Sequence, residues 1–170
     1  DLFVQMARQF LSDPTTAGLA ERTWFIWIGF PCDQELRKWL VHDADAAGFA
    51  DRIRFLGTRK DMTPYFLGAD VFALTSREDP CPFANLEAME GSRPVVACQG
   101  SGGAPEVLGE AGVAVPYLDA GAMAREVGRL LADDSLRSAM GRTGRATIRR
   151  HFTWPRFMDD LLGILRSDYG

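Results

Sequence analysis

The hydrophobic pattern of the chain changes between helical and strand periodicity from one end to the other. Residues Leu2 to Leu11 carry apolar side chains at helical spacing, and Ser12-Asp13-Pro14 predicts a loop that lasts to Glu21. The run from Thr23 to Phe30, TWFIWIGF, is β-branched and aromatic, which predicts a strand buried on both faces. Both tryptophans of this run are therefore expected in the core.

Shorter segments then repeat the order of strand and helix. Asp33 is placed to cap a helix that runs to about Ala47 and stops at Gly48. The later predicted strands are 52–56, 70–75, 94–97 and 112–115, and the later predicted helices are 61–67, 83–90, 104–108, 119–132, 135–151 and 154–167. This alternation predicts an α/β fold with a Rossmann-like, doubly wound parallel sheet and C-terminal helices, formed by residues 1–170 as a single domain.

The predicted topology also indicates where a ligand would bind. In open parallel sheets, ligands bind outside the carboxyl ends of the strands, near the point where the strand order reverses. Function is therefore expected in the loops that follow Phe30, Leu56, Thr75 and Ala97.

Charge and cysteine content exclude several kinds of function. The net charge is −4 and no basic run is longer than two residues, which argues against a nucleic-acid partner or an anionic membrane surface. Cys32, Cys81 and Cys98 show no metal-binding spacing, which favours reduced thiols in the cytoplasm and no metal site. No apolar run approaches the roughly 18 residues of a membrane span, and no signal peptide is visible.

The start of the chain predicts a missing part. Asp1 is not preceded by a methionine, and the sequence enters a predicted helix at once. We therefore expect a piece of a longer protein that lacks its first strand and a second domain.

The loop SREDPCPFANLEAME, from Ser76 to Glu90, combines charge and stiffness. Pro80 and Pro82 fix φ and restrain the residues before them, and the loop leads directly into a helix. The free N–H groups of that helix would point back at the loop, which suits a phosphate. Asp79 can accept hydrogen bonds from hydroxyl groups, and Glu87 is an acid on an otherwise apolar helix, which suits a ribose.

A structural role is the alternative for each acid alone. Asp79 would then be a capping residue, and Glu87 a solvated or salt-bridged surface residue. Gly102 and Gly103 would be a plain turn, and Arg59 a surface cation. The string GSGG lacks the spacing of a dinucleotide fingerprint and comes late in the chain, so nicotinamide binding is disfavoured.

In combination, these residues resemble a known signature. Asp79 and Glu87 stand eight positions apart and are followed by Ala88-Met89 and by Pro94-Val95-Val96-Ala97, and later by Gly102-Gly103-Ala104-Pro105-Glu106. The order and spacing resemble the donor site of family-4 (group 1) retaining glycosyltransferases. These enzymes have the GT-B architecture, in which two Rossmann-like domains enclose the active site, and this chain would be the C-terminal half.

The resemblance implies a role for each matching residue. Glu78 and Asp79 match the acid that contacts the transferred sugar, and Glu87 matches the acid that binds the ribose. The remaining matches are Cys81, Pro82 and Phe83 for loop contacts to sugar and phosphates, Thr58 and Arg59 for the base, and Gly102 and Gly103 for close backbone approach to the phosphates.

The resemblance also implies the reaction and the partners. A sugar would pass from a nucleotide diphosphate donor to an acceptor hydroxyl with retained configuration, without a metal or other cofactor. The partners would be the nucleotide sugar and an N-terminal acceptor domain of the same chain. Any contact with the inner membrane face would run through that absent domain. Alternatives are a non-catalytic nucleotide-sugar-binding module that kept the fold, and a two-domain nucleotide-sugar epimerase, which the motif order disfavours.

The chain departs from the family pattern at several places. Cys81 replaces the usual Phe, Asn85 stands where an aliphatic residue is usual, and Gly91 comes one place early, which leaves the local end of the helix open. The family's Arg and Lys that hold the pyrophosphate would precede Asp1. We therefore expect a donor-binding half rather than a complete enzyme.

Overall fold

The computed structural model describes residues 1–29 and 34–169. The first half contains helix α1 (Leu2–Ser12), a 3-10 turn (Pro14–Thr16), α2 (Ala17–Ala20), β1 (Phe25–Ile28), α3 (Gln34–Ala46), a second 3-10 turn (Ala50–Arg52), β2 (Ile53–Gly57) and α4 (Thr63–Gly68). The second half contains β3 (Phe72–Leu74), α5 (Phe83–Glu90), β4 (Val95–Cys98), α6 (Ala104–Leu108), a third 3-10 turn (Gly109–Ala111), β5 (Gly112–Val115), α7 (Ala120–Ala132), α8 (Asp134–His151) and α9 (Trp154–Tyr169). The predicted cap Asp33 and the predicted strand end Phe30 lie outside the described residues.

All paired strands are parallel, but they form two groups. β1 pairs with β2, and β3, β4 and β5 pair in that order. Within the described ranges, β1 and β3 each keep one edge without a partner strand. A single apolar cluster nevertheless joins Phe25 and Ile53 of the first group to Val96 and Cys98 of the second. The predicted α/β fold is confirmed, and this cluster contains residues of both strand groups.

Helix α1 joins the two halves of the core. It buries Leu2, Val4, Met6, Ala7 and Phe10 along one face and packs against α7. The ring of Phe10 meets the ring of Phe25 edge to face, with centroids 5.3 Å apart. Because α1 touches both β1 and α7, it covers the space between the two strand groups.

The loop predicted from Ser12 to Glu21 is wrong, because the 3-10 turn and α2 lie within it. α1 ends at Ser12, as the Ser12-Asp13-Pro14 stop predicts, and Pro14 also occupies the first turn of the 3-10 segment, where its missing N–H is not needed. The carboxylate of Asp13 accepts from the N–H of Thr15 at 2.8 Å and starts the turn.

β1 is not buried on both faces as predicted. Phe25 is 4% exposed, whereas Trp24 and Ile26 are 50% and 48% exposed. In the described part of the chain, helices cover only the Phe25 side of this strand pair. The guanidinium of Arg54 lies 4.6 Å from the centre of the Trp24 ring and shields part of the other side. The prediction of a core position is therefore wrong for Trp24.

β4 is the most deeply buried strand, since Val95, Val96, Ala97 and Cys98 are each fully buried. α7 covers one side, and α5 and α6 pack on the other together with the face of α8. This arrangement brings the loop after β4 next to the loop after β3 at the carboxyl edge of the sheet.

Helix α9 has an apolar face that few described residues cover. Its exposed apolar side chains are Trp154, Phe157, Leu161, Leu162, Ile164 and Leu165. The rings of Trp154 and Phe157 meet each other, with centroids 5.4 Å apart. None of the described helices is both long enough and apolar enough to span a bilayer.

The end of α5 explains the displaced glycine. Gly91 has a right-handed φ of −69°, and Ser92 takes the left-handed conformation with φ +59°. The N–H of Arg93 donates to the carbonyl of Ala88 at 2.9 Å, and the N–H of Ser92 to that of Met89 at 2.9 Å. This is a Schellman-type end whose left-handed position usually holds glycine.

We therefore expect Ser92→Gly to raise the free energy of unfolding by about 0.5–1 kcal/mol, because glycine adopts this conformation without the steric penalty of a Cβ. Urea unfolding measures the change. The matched control is Ser138→Gly, in the exposed interior of α8, which should lower stability by about 0.5 kcal/mol. A loss of stability at both sites would contradict the proposed role of the left-handed position.

Candidate functional site

The loops after β3 and β4 are joined by backbone contacts. The N–H of Asp79 donates to the carbonyl of Ser101 at 2.7 Å, and Asp79 and Gly102 form an isolated parallel bridge. The buried Ser101 hydroxyl donates to the carbonyl of Cys98 at 2.8 Å, which anchors this turn to β4. Two motifs that the sequence predicts separately, the acid loop and the glycine pair, are thus held side by side.

The glycines allow a close approach to the protein's own backbone. A Cβ on Gly102 would lie 2.0 Å from the carbonyl oxygen of Asp79, and a Cβ on Gly103 would lie 2.6 Å from that of Pro80. Gly102 also has φ +121°, which L-residues rarely adopt. Since the loops already touch, these contacts account for both glycines, and a direct phosphate contact stays a prediction.

Helix α5 starts without a side-chain cap. Pro82 is the buried N-cap residue, and the N–H of Asn85 donates to its carbonyl at 3.0 Å. Phe83, in the first turn, is 71% exposed, and Cys81 is exposed beside it. The free N–H groups of this first turn lie next to the acid loop and can donate hydrogen bonds to an anion.

The acids of the loop differ in their surroundings. Glu78 is exposed and Asp79 is half-buried, and Asp79 is the one held by the bridge to the glycine turn. The bridge fixes the backbone of Asp79, whereas no described contact fixes the carboxylate of either acid, so Asp79 and Glu78 both stay predictions for the sugar contact.

Glu87 opens into a groove between α4 and α5. The groove has a volume of about 630 Å³, and its lining includes Glu87, Lys60, Asp61, Met62, Phe66 and Leu86. Within the described residues, Glu87 forms no ion pair, whereas Glu90, one turn further along α5, is 3.0 Å from Arg149 and 3.5 Å from Arg145. The salt-bridged alternative therefore describes Glu90. Glu87 is an exposed acid on a concave surface, which fits the solvated alternative as well as the predicted ribose contact.

Thr58 and Arg59 lie beside this groove. The Nε of Arg59 donates to the Tyr65 hydroxyl at 3.1 Å, and its Nη1 donates to the carbonyl of Thr58 at 3.1 Å. Among the described residues, the lining contains Lys60 and Asp61 but neither Thr58 nor Arg59. The sequence analysis missed Lys60 and Asp61, although they follow directly in the same loop.

Arg77 is a third residue that the sequence analysis missed. Its guanidinium forms an ion pair with the carboxylate of Asp1, which caps α1 by accepting from the N–H of Leu2 at 2.6 Å. The Tyr117 hydroxyl donates to the carbonyl of Arg77 at 3.3 Å. The start of α1 is therefore fastened to the acid loop, and its positive end adds to that of α5.

Asn85 is 1% exposed, and neither its amide nitrogen nor its amide oxygen has a hydrogen-bond partner among the described residues. Because an unpaired buried amide costs folding free energy, this departure from the usual aliphatic residue is destabilising. The described residues contain no cluster of three or more His, Cys, Asp or Glu side chains that could hold a metal ion.

Comparison with known proteins identifies the family. The family model for glycosyl transferases group 1 matches residues 6–133, and the chain belongs to this family. The lipopolysaccharide core biosynthesis glycosyltransferase LpsE of Rhizobium meliloti is 32% identical over 138 residues, which cover 79% of this chain and 40% of that protein. The chain thus spans well under half of the length of this relative.

Solved structures show the same fold. The crystal structure of Anabaena Alr3699/HepE in complex with UDP matches with a TM-score of 0.82 and 22% identity, over 96% of this chain and 44% of that one. The C-terminal domain of the group 1 protein LpcC from Francisella tularensis matches with a TM-score of 0.75 and 22% identity, over 90% and 78%. The chain has the Rossmann-like fold of the C-terminal domain of GT-B glycosyltransferases.

We expect Gly102→Ala to lower the free energy of unfolding by about 3 kcal/mol, because the new Cβ overlaps the carbonyl of Asp79 and forces the two loops apart. The control is Gly100→Ala in the same turn. Gly100 has φ +71° but open space around its Cβ position, so the Gly100→Ala variant should lose only about 1 kcal/mol of unfolding free energy. Urea unfolding of both variants gives the comparison, and equal losses would show that the backbone contact is unimportant.

Proposed function

We propose that this chain is the nucleotide-sugar donor domain of a retaining glycosyltransferase that transfers a sugar from a nucleotide diphosphate to an acceptor hydroxyl. The observation that carries the proposal is Glu87, whose carboxylate has no ion-pair partner among the described residues and lies on a groove one turn from the uncapped start of α5. A ribose at Glu87 would place the attached diphosphate at that helix start. The UDP complex of HepE, a protein of the same fold, agrees with this kind of ligand.

Each group of the site then has a part in transfer. Glu87 holds the ribose hydroxyls, and Asp79 orients the sugar that leaves the diphosphate, which is a proximity effect. The positive ends of α5 and α1 stabilise the negative charge that develops on the leaving diphosphate. Arg77, which is ion-paired with Asp1 at the start of α1 and precedes Asp79 by two residues, is a further basic group of the proposed site. Basic groups and helix ends are proposed to do this without a metal, in a cytoplasmic enzyme.

The split sheet supports a first strand that precedes Asp1. Doubly wound sheets place their first strand at the centre, and here the free edges of β1 and β3 lie on either side of that position. The ion pair between Asp1 and Arg77 fastens the start of α1 to the residues that follow β3. A strand parallel to β1 and β3 would end at this point and enter α1, which is the usual connection.

The apolar face of α9 supports a second domain. Trp154, Phe157 and Ile164 are 72%, 53% and 57% exposed, which is a large apolar surface for an isolated helix. We propose that this face packs against the N-terminal acceptor domain. Closure of the two domains would exclude water from the donor.

Nucleotide binding tests the donor site. We expect the chain to bind one nucleoside diphosphate with a Kd of roughly 0.1–1 mM, or about −4 to −5.5 kcal/mol, because the proposed upstream cations are absent. Glu87→Ala should weaken binding about tenfold or more, since it removes hydrogen bonds to a charged group. Calorimetry or NMR titration with UDP, GDP and ADP measures both.

Glu110→Ala, an exposed acid in the turn before β5, is the matched control and should leave binding unchanged. Absence of saturable binding of every nucleotide would contradict the donor-site proposal. Donor binding by a full-length protein that transfers no sugar would instead favour the non-catalytic module.

Amide hydrogen exchange tests the two missing parts. In the full-length protein, the edge amides of β1 and β3 and the amides of α9 should exchange at least about 100-fold more slowly than in the 170-residue chain, because burial raises the free energy of local opening. The exchange rates of the β4 amides should change little, because β4 is a central strand in the 170-residue chain and would stay central in the full-length protein. Equal rates in β1 and β3 would rule out the inserted strand.

A further inference from the structure

We propose that the groove beside Glu87 selects guanine over the other bases, and that Asp61 is the residue that determines this specificity. The inference rests on the proposed function, because it takes Glu87 as the ribose contact. The base is attached to the same ribose, so it must lie within one sugar ring of Glu87. Along the groove, the loop that supplies polar groups opposite α5 is Lys60 to Thr63.

One carboxylate oxygen of Asp61 holds the side chain in position, and the other is available to a ligand. Its Oδ1 accepts from the N–H of Thr63 at 3.0 Å, which fixes the carboxylate at the start of α4. Its Oδ2 has no hydrogen-bond or ion-pair partner among the described residues, and the side chain is exposed to the groove. The carboxylate is therefore oriented and still able to accept from a ligand.

Glu90, the third acid that lines the groove besides Asp61 and Glu87, is already neutralised. Glu90 lies within ion-pair distance of both Arg145 and Arg149. Lys60, in contrast, forms no ion pair within the described ranges, so it stands beside Asp61 as a free cation. The groove thus offers an adjacent acceptor and donor on one side of Glu87.

Only one common base matches this pair. Guanine presents two neighbouring N–H donors, at N1 and N2, which suit a carboxylate, and an acceptor at O6, which suits an ammonium. Uracil presents a single N–H between two carbonyl oxygens, which a carboxylate would repel. Adenine and cytosine each place a ring-nitrogen acceptor beside their amino group. A carboxylate at this place therefore discriminates by repulsion as well as by attraction.

The rest of the lining suits a flat ring system. Met62 and Leu86 are half-buried and Phe66 is buried, so the groove has an apolar floor beneath its polar rim. Apolar walls with a few placed polar groups are usual for sites of this size. The planar faces of a purine would lie on this floor while its edge meets Asp61 and Lys60.

Competition among nucleotides tests the inference. GDP should bind at least about tenfold more tightly than UDP, CDP or ADP, as expected where a site is built around hydrogen bonds. Inosine diphosphate, which lacks the N2 amino group but keeps N1–H and O6, should bind about tenfold less tightly than GDP. In Asp61→Asn, the Kd values for GDP, inosine diphosphate and UDP should lie within about threefold of one another, because a neutral amide replaces the charged acceptor.

Two further variants separate the possible failures. Asp45→Asn, an exposed acid on α3, should keep the wild-type preference, whereas Glu87→Ala should weaken all nucleotides alike. A preference for UDP, or a preference for GDP that survives Asp61→Asn, would overturn the guanine inference and leave the donor site standing. Failure of every nucleotide to bind would overturn both the guanine inference and the donor-site proposal.

Discussion

The hydrogen bond from the N–H of Asp79 to the carbonyl of Ser101 holds the candidate site together. It joins the ends of two neighbouring parallel strands at the edge where ligands of such sheets bind. The bond forms because Gly102 and Gly103 bring their backbone within van der Waals contact of Asp79 and Pro80. The position of Asp79 and the path of the chain into α5 follow from this junction.

The sequence predicts the positions of the helices and strands better than it predicts which of their faces are buried. Helical and strand periodicities were enough for α5, β4 and the order of the motifs, since local spacing decides these. Burial of Trp24 could not be predicted from the run TWFIWIGF, because an apolar run does not say which faces other elements cover. A proline such as Pro14 can follow the end of one helix and can also occupy the first turn of the next. The cap at Asp13 shows that a new turn begins there, and the sequence pattern did not indicate this.

The same limit applies to the candidate site. Asp79, Glu87 and the glycine pair stand out because unusual residue types occur at a fixed spacing. Asp61 and Lys60 do not, because an acid and a base in a polar loop are ordinary until α4 packs beside α5 and forms the groove. Arg77 became visible only through its ion pair with Asp1, a residue 76 positions away in the chain. Contacts of this range depend on the fold and leave no local pattern.

Charge then explains why the site is built at this edge. Glu78, Asp79 and Glu87 would repel a diphosphate if they acted alone, so positive groups must lie closer to the phosphates than these acids do. The loop leads into the start of α5, and the ion pair between Arg77 and Asp1 fastens the start of α1 to the same loop. In the proposed donor site, the acids would then contact the hydroxyl groups on either side of the diphosphate, the sugar at Asp79 and the ribose at Glu87. A strand inserted between β1 and β3 would deliver its own loop to the same point, directly before α1, where cations would complete the neutralisation. In the proposed donor domain, a single segment that enters α1 would therefore both pair with the free edges of β1 and β3 and supply the cations that balance the diphosphate.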